Sequence, residues 1–106
     1  ACHRGPNFTD SQFHAIQVPG SKDLGRYVVT GEESDQYRFR TPTLRNVAAT
    51  YPYMNNGATP TLEEAISVMG KEMLGREFDE STVNEIAAFL NTLTGEMPAF
   101  EVPALP

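Results

Sequence analysis

The chain has few residues of the kinds that would suggest a disulfide scaffold or a membrane anchor. Among 106 residues there is one cysteine, Cys2, and a single cysteine excludes an internal disulfide framework. Long apolar runs are also lacking: none approaches the ~20 residues that a bilayer-spanning helix needs. The sequence therefore predicts no membrane span.

Basic charge is scarce as well. Eight Lys and Arg residues face fourteen Asp and Glu residues, which gives a formal net charge of -6. Nucleic-acid binding draws most of its affinity from a basic patch, so we expect no nucleic-acid partner. An acidic surface permits a basic protein partner. The acidic runs at 32–35 and 77–80 are interpreted as solvated faces, with steering of a basic cytochrome as the alternative.

Helix signals predict a mainly α chain. Residues 1–5 and 23–30 are interpreted as short helical pieces, the second closed by Gly31. Thr41-Pro42 is typical of a helix start and predicts a helix that ends near Thr50.

Two longer amphipathic helices are predicted further along the chain. Thr61 with Glu64 forms a capping box, and apolar residues at helical spacing follow it as far as Gly75. A second stripe spans 80–94 and is closed by Gly95. The Asn56-Gly57 pair is a turn without a predicted hairpin. Long loops are unusual in a small helical domain unless they wrap something.

The first three residues carry the clearest chemical signal. Covalent c-type haem is attached through Cys-x-x-Cys-His, and the chain opens with the last three positions of that pattern, Ala1-Cys2-His3. In this interpretation Cys2 forms a thioether and His3 is the proximal iron ligand. The dipeptide alone is also typical of a buried cysteine beside a surface histidine. With no initial Met and no signal peptide, the chain is expected to be the C-terminal part of a longer protein.

Longer stretches carry a resemblance to a known family. The chain resembles the C-terminal haem domain of bacterial di-haem cytochrome c peroxidases over residues 1 to about 96. Related di-haem enzymes that mature tryptophan-derived quinone cofactors share much of the pattern. The matching stretches are, in order, CHRGPNFTDSQFH, DLGRYVVTG, FRTPTLRNVAATYPYMNNG, TLEEAISVMG and EIAAFLNTLTGE.

The resemblance implies a cytochrome c-like haem domain over 1–96, with long loops that wrap one covalently bound haem c. The tail over 97–106 is Pro-rich, which predicts an extended segment. It also implies a periplasmic enzyme in which an N-terminal haem domain reduces hydrogen peroxide. The C-terminal domain, which this chain resembles, accepts electrons from a small cytochrome or cupredoxin and passes them on. No catalytic residue is expected in it. Members of the family are commonly dimeric, so a homodimer is possible.

Four methionines are candidates for the second iron ligand: Met54, Met69, Met73 and Met97. Met69 lies on the apolar stripe of the capped helix and matches the family's axial position, where the quinone-maturing relatives have Tyr. A thioether favours ferrous iron and raises the reduction potential. The alternatives are that Met69 is core packing or that Met54 is the ligand.

Other residues receive roles around the predicted haem. Arg40 and Arg45 are candidates for pairing with haem propionates, although Arg45 would equally suit a carboxylate partner. His14 is interpreted as a hydrogen-bonded structural histidine. Apolar walls are expected from aromatic side chains, which would serve equally as plain core: Phe13, Phe39, Tyr51 and Tyr53.

A calcium ion is the second predicted cofactor. The resemblance implies that the backbone carbonyls of Thr50 and Pro52 bind calcium together with waters and the N-terminal domain. The residues alone would equally form an ordinary turn. Two alternative functions remain open at this point: a mono-haem c-type electron carrier and a di-haem enzyme of the quinone-maturation type.

Overall fold

The computed structural model describes residues 1–96, 99 and 101–104. Three α-helices and one small antiparallel sheet make up its regular structure, so the predicted mainly α fold is confirmed only in part. Single 3-10 turns occur at Glu33–Asp35 and Val47–Ala49. In chain order the main elements are β1 (Phe13–Ala15), α1 (Tyr27–Thr30), β2 (Arg38–Arg40), α2 (Leu62–Leu74) and α3 (Glu80–Asn91).

Helix α2 forms where the capping box predicts it. The Thr61 side chain accepts a hydrogen bond from the Glu64 backbone N–H at 3.3 Å, which satisfies one of the free donors at the helix start. Glu63 and Glu64 lie in the first turn, where negative charge is favoured by the helix dipole. The predicted end at Gly75 is confirmed, since the Gly75 N–H donates a hydrogen bond to the Lys71 carbonyl at 3.1 Å.

Helix α3 begins as predicted but ends earlier. Asp79 caps it by accepting from the Thr82 N–H at 2.7 Å. Hydrogen bonding to the Thr82 side chain, and after it to the Thr82 N–H, lowers the pKa of the Asp79 carboxyl. The helix stops at Asn91 instead of 94. The following turn is held by Asn46, whose N–H donates to the Leu93 carbonyl and whose Oδ1 accepts from the Gly95 N–H.

The helices enclose the core. Ile66 from α2 is buried with Val83, Ala87 and Leu90 from α3. Partly buried apolar side chains pack against this cluster from the flanks, including two that precede α2 in the chain, Leu44 and Val47. The segment around residues 43–47 is thereby fixed to the helix pair.

Two predicted helical pieces are wrong. Residues 1–5 are not helical, and a turn forms instead at 5–8. The predicted helix from Thr41 to Thr50 is reduced to the 3-10 turn Val47–Ala49. Thr41 is buried and its N–H donates to the Gln12 carbonyl at 2.9 Å, while Asn46 adopts the left-handed conformation at φ 63°. The left-handed φ of Asn46 is incompatible with a helix that continues from residue 41 to residue 50, whereas the Thr41 contact is compatible with a helix start.

The sequence analysis missed the sheet. Strands β1 and β2 pair antiparallel over three residues each, with Phe13 opposite Arg40 and His14 opposite Phe39. Three residues are too few to show the alternation that identifies a strand in a sequence. Helix α1 is also shorter than the predicted 23–30, although Gly31 ends it as expected.

Other predictions concern the ends of the chain. Met97 and part of the predicted tail 97–106 lie outside the described residues. Among the residues that the structure covers, no helix has the length and apolar character needed to cross a membrane. The division into a domain over 1–96 and a tail stays a prediction.

Two left-handed glycines allow a matched stability test. A Cβ at Gly25 (φ 65°) would lie 2.3 Å from the Arg38 carbonyl oxygen, whereas one at Gly31 (φ 70°) would meet nothing within 4 Å. We expect Gly31→Ala to lower the free energy of unfolding by about 1 kcal/mol, which is the cost of the conformation alone. Gly25→Ala should lower it by clearly more, because the backbone must also move. Urea unfolding measures both; equal losses would contradict the close contact.

Candidate functional site

One cavity of about 510 Å³ collects most of the predicted site residues. Its wall is built from four parts of the chain: the first residues, the two-stranded sheet, the segment from Thr41 to Asn55, and helix α2. This volume falls in the range of small-molecule and cofactor sites. The wall holds Cys2 and His3 together with Met54, Met69 and Met73.

His3 is held in one tautomer. Its Nδ1 lies 3.1 Å from the Phe8 backbone oxygen, and a carbonyl can only accept, so Nδ1 carries the proton. The Nε2 atom then keeps its lone pair and is available to a metal ion. Metal-bound histidines usually donate their other N–H in this way. Both His3 and Cys2 are half-buried.

The Phe8 carbonyl reaches His3 because the chain turns back on itself. The Phe8 N–H donates to the Gly5 carbonyl at 3.1 Å and the Thr9 N–H donates to the Arg4 carbonyl at 3.0 Å. Phe8 has a φ of 51°, a left-handed conformation that bulky residues rarely adopt. The loop is thus folded so that residue 8 lies beside residue 3.

Helix α2 supplies a continuous strip of the wall. Ala65, Met69 and Met73 are spaced four residues apart and line the cavity together, as expected for one helical face. Met69 is half-buried, whereas Met73 is 36% exposed. Met54 also lines the cavity, from a loop position with φ 66°. The choice among these three thioethers stays a prediction.

Strand β2 contributes Phe39 and Arg40 to the wall. No carboxylate lies within ion-pair distance of the Arg40 guanidinium in the part of the chain that the structure describes. Tyr53 is buried in the wall and its hydroxyl donates to the Val47 carbonyl at 2.9 Å. Burial raises the pKa of this hydroxyl above its usual value.

Three predicted haem neighbours lie outside the cavity wall. The Phe13 ring stacks under the Arg26 guanidinium, 4.7 Å from the ring centroid. Tyr51 is 72% exposed. Arg45 Nε donates to the Pro6 carbonyl at 2.7 Å, so it has a backbone partner instead of a carboxylate. The structure does not bring these residues to the cavity, and their predicted role in haem binding gains no support from it.

His14 is a hydrogen-bonded histidine, as predicted. Its Nε2 lies 2.6 Å from Asp10 Oδ2, and Asp10 Oδ1 accepts from the Gln12 N–H at 2.9 Å. The Gln12 hydrogen bond, together with His14, lowers the pKa of Asp10 to about 2. Sequence reasoning missed Asp10; the spacing of four residues to His14 and the Asx turn to Gln12 were the available signals.

Asp10 and His14 also lie next to Cys2. The ligand atoms of these three residues are within 4.8 Å of one another. Such donors also suit a divalent metal ion. If Cys2 forms a thioether to a haem, its sulfur is no longer a thiolate ligand for a metal ion. Asp10 and His14 then serve to order the turn beside Cys2.

Thr50 and Pro52 both lie at the cavity. The Thr50 hydroxyl donates to the Val47 carbonyl at 3.0 Å. Among the described residues, nothing donates a hydrogen bond to the backbone carbonyls of Thr50 or Pro52. These two oxygens therefore have free lone pairs, which is what a hard cation such as calcium requires.

Comparison with known proteins gives a consistent group of relatives, although no protein-family model matches the chain. It is 44% identical over 110 residues to the cytochrome c551 peroxidase of Nitrosomonas europaea, covering 99% of this chain and 33% of that protein. It is 40% identical to the cytochrome c551 peroxidase of Pseudomonas aeruginosa, with 100% and 33% covered. The chain thus spans about a third of the length of these curated relatives.

Two further relatives bear other names. The methylamine utilization protein MauG of Methylorubrum extorquens is 34% identical and matches 100% of this chain and 33% of that protein. A crystal structure of a MauG-like protein associated with microbial copper homeostasis superposes with a TM-score of 0.74 at 26% identity. That match covers 90% of this chain and 42% of the other.

The Asp10 carboxylate makes an acid-dependent contribution to stability. Its folded pKa of about 2 lies below the usual value of 3.8 for an aspartate, so the stabilisation is present above about pH 4 and is lost as the pH falls toward 2. Asp10→Asn should flatten the fall in unfolding free energy over this interval. Urea titrations at stepped pH test this, with Glu32→Gln as a control for the loss of one exposed charge. An unchanged acid slope in Asp10→Asn would be evidence against the contact.

Proposed function

We propose, on the premise that the chain belongs to the bacterial cytochrome c peroxidase family, that it is the electron-accepting haem domain of a di-haem enzyme that reduces hydrogen peroxide. The supporting observation is that a single cofactor-sized cavity brings together Cys2, His3 and Met69. Cys2 and His3 are adjacent in the sequence and Met69 is far from both, and these three are the residues that the haem interpretation needs.

The residues at the cavity fit a covalently bound haem. Cys2 offers a thiol for the porphyrin. His3 offers Nε2 as an iron ligand, while its Nδ1 is already hydrogen-bonded to the Phe8 carbonyl. The aromatic and aliphatic wall supplies the apolar surroundings that such a cofactor requires. When bound, the haem supplies reversible one-electron transfer.

Met69 is our choice for the second iron ligand. It lies on a helix of thirteen residues and is half-buried, so its position is fixed by the core. Met54 lies on a loop, and Met73 is more exposed. A thioether ligand favours ferrous iron, which suits a haem that receives electrons. With His3 and Met69 both bound to iron, no position is left for peroxide in this domain.

Two further contacts belong to the proposal. Arg40 at the cavity has no carboxylate partner among the described residues, and its guanidinium would pair with a haem propionate. The free carbonyls of Thr50 and Pro52 would bind a calcium ion together with waters and groups from a second domain. Calcium would then stabilise the position of the second domain next to the haem edge.

The proposed cellular setting follows from the family. The enzyme would act in the periplasm, receive electrons from a small cytochrome or cupredoxin, and pass them to a peroxide-reducing haem in an N-terminal domain. The net charge of -6 suits a donor with a basic docking face. A homodimer is part of the family expectation.

One alternative has a specific observation in its favour. Similarity to the methylamine utilization protein MauG fits a di-haem enzyme of the quinone-maturation type. Met69 favours the peroxidase, because the resemblance places Tyr at this position in the maturation enzymes. The other alternative is a mono-haem electron carrier. The mass of the native polypeptide distinguishes it from the peroxidase, which has a second haem domain.

Ligand choice is tested by spectroscopy of the haem-loaded chain. Ferric haem with a sulfur ligand shows a weak near-infrared band. We expect Met69→Ala to abolish it, because the sulfur is lost from iron, and the matched variants Met54→Ala and Met73→Ala to retain it. Loss of the band in either of those two variants instead of Met69→Ala would show that the ligand assignment is wrong.

Iron ligation by both His3 and Met69 would leave no open position for peroxide, and this predicts a kinetic result. The haem-loaded chain alone should accept electrons from a reduced small cytochrome but should not consume hydrogen peroxide above the background of free haem. Stopped-flow oxidation of the cytochrome and a peroxide electrode measure the two steps. Sustained peroxide turnover by this chain would contradict the division of labour proposed here.

A further inference from the structure

We infer that Arg45 and Thr43 are positioning residues for His3. By holding the Pro6–Phe8 loop, they set the basicity of His3 Nε2 as an iron ligand. The inference rests on the proposed function, since it concerns His3 as an iron ligand. It assigns to Arg45 a role other than the propionate pairing expected from the sequence.

Three consecutive residues of the loop are held from outside. Arg45 Nε donates to the Pro6 carbonyl at 2.7 Å, and the Thr43 hydroxyl donates to the Asn7 carbonyl. The Phe8 ring lies 5.5 Å from the Arg45 guanidinium. The Phe8 carbonyl is the next oxygen in this run, and it is the one that accepts from His3 Nδ1.

Hydrogen bonds within the turn hold the backbone at Phe8, from the Phe8 N–H to the Gly5 carbonyl and from the Thr9 N–H to the Arg4 carbonyl, whereas the Pro6 and Asn7 carbonyls are held from outside the loop. Pro6 and Asn7 are exposed, and Phe8 adopts an unfavourable left-handed φ of 51°. The Phe8 ring also packs against Phe89 of α3 in a T-shaped arrangement, with centroids 6.0 Å apart. We therefore expect the contacts made by residues 43, 45 and 89 to set the direction of the Phe8 carbonyl together with the hydrogen bonds of the turn.

Arg45 and Thr43 are themselves anchored to the helical core. Leu44, between them in the chain, packs against the buried cluster, as does Val47. Asn46 is tied to the end of α3 by hydrogen bonds with Leu93 and Gly95. The position of the loop is thus determined by the helices and is not free to follow His3.

The chemical effect has a definite sign. A hydrogen bond from Nδ1–H to a carbonyl increases the basicity of Nε2. A more basic imidazole stabilises ferric iron, so weakening this hydrogen bond should raise the reduction potential. Removing the Arg45 charge would act in the opposite direction, because a nearby cation favours the reduced state. Informative variants must therefore leave the charge unchanged.

Two variants meet this condition, and the chain offers a matched control for each. Thr43→Val is isosteric, and Thr30→Val removes a comparable hydroxyl that donates to Asp35 at 2.8 Å on the surface. Arg45→Lys keeps the charge, and Arg38→Lys removes a comparable Nε hydrogen bond to the Ser34 carbonyl at 2.9 Å. Neither Thr30 nor Arg38 lines the cavity.

The measurement is a spectroelectrochemical titration of the haem-loaded chain, with electron paramagnetic resonance of the ferric form. We expect Thr43→Val and Arg45→Lys to shift the redox equilibrium threefold to tenfold toward the ferrous state, about 30 to 60 mV upward for one electron. The g-values should change with it. Both controls should match the parent chain. If the potentials and g-values of Thr43→Val and Arg45→Lys equal those of the two controls, the inference is overturned.

The parent chain separates this inference from the proposed function. If the parent shows no sulfur-ligated haem spectrum, the proposed function fails before any variant is compared. If Arg45→Lys does not retain haem, Thr43→Val decides the question. The imidazole ¹⁵N shifts of His3 in each chain give a second readout, since loss of the Phe8 hydrogen bond changes the shift of Nδ1 even without a change in stability.

Discussion

The attachment of residues 43–47 to the helix pair is the contact on which the rest of the structure depends. Leu44 and Val47 pack on the buried cluster of α2 and α3, and both also line the cavity. The same short segment therefore belongs to the hydrophobic core and to the site wall. In a chain of 106 residues with few regular elements, this shared use lets a small core fix the site.

Both proposed iron ligands trace back to that core. Met69 lies on α2, about one turn after the core residue Ile66. His3 is far from the helices in sequence, but its Nδ1 partner belongs to the loop that Thr43 and Arg45 hold. The cofactor would thus be bound between His3 and Met69, whose positions are set by the same packed helices. This arrangement gives the rigidity that an electron-transfer site needs.

How much the sequence predicts depends on how local the cause is. Capping at Thr61, the stop at Gly75 and the two apolar stripes are local, and the two long helices were correctly predicted from them. The predicted Thr41–Thr50 helix does not form because Asn46 is left-handed and its N–H donates to the Leu93 carbonyl, a partner that no local pattern reveals. Strands of three residues likewise carry too little pattern. Among the site residues, Cys2, His3, Arg40 and Met69 do line one cavity, whereas Phe13 and Arg45 do not. Phe13 packs against Arg26 and Arg45 binds the Pro6 carbonyl, partners that are distant in the sequence.

The central claim is that the cavity holds an iron porphyrin between an imidazole at the amino end of the chain and a methionine sulfur. X-ray absorption at the iron edge of the haem-loaded chain tests it most directly. The account predicts pyrrole and imidazole nitrogens plus a single sulfur neighbour at the iron. A spectrum with nitrogen and oxygen neighbours only, or a purified chain without iron, would contradict it.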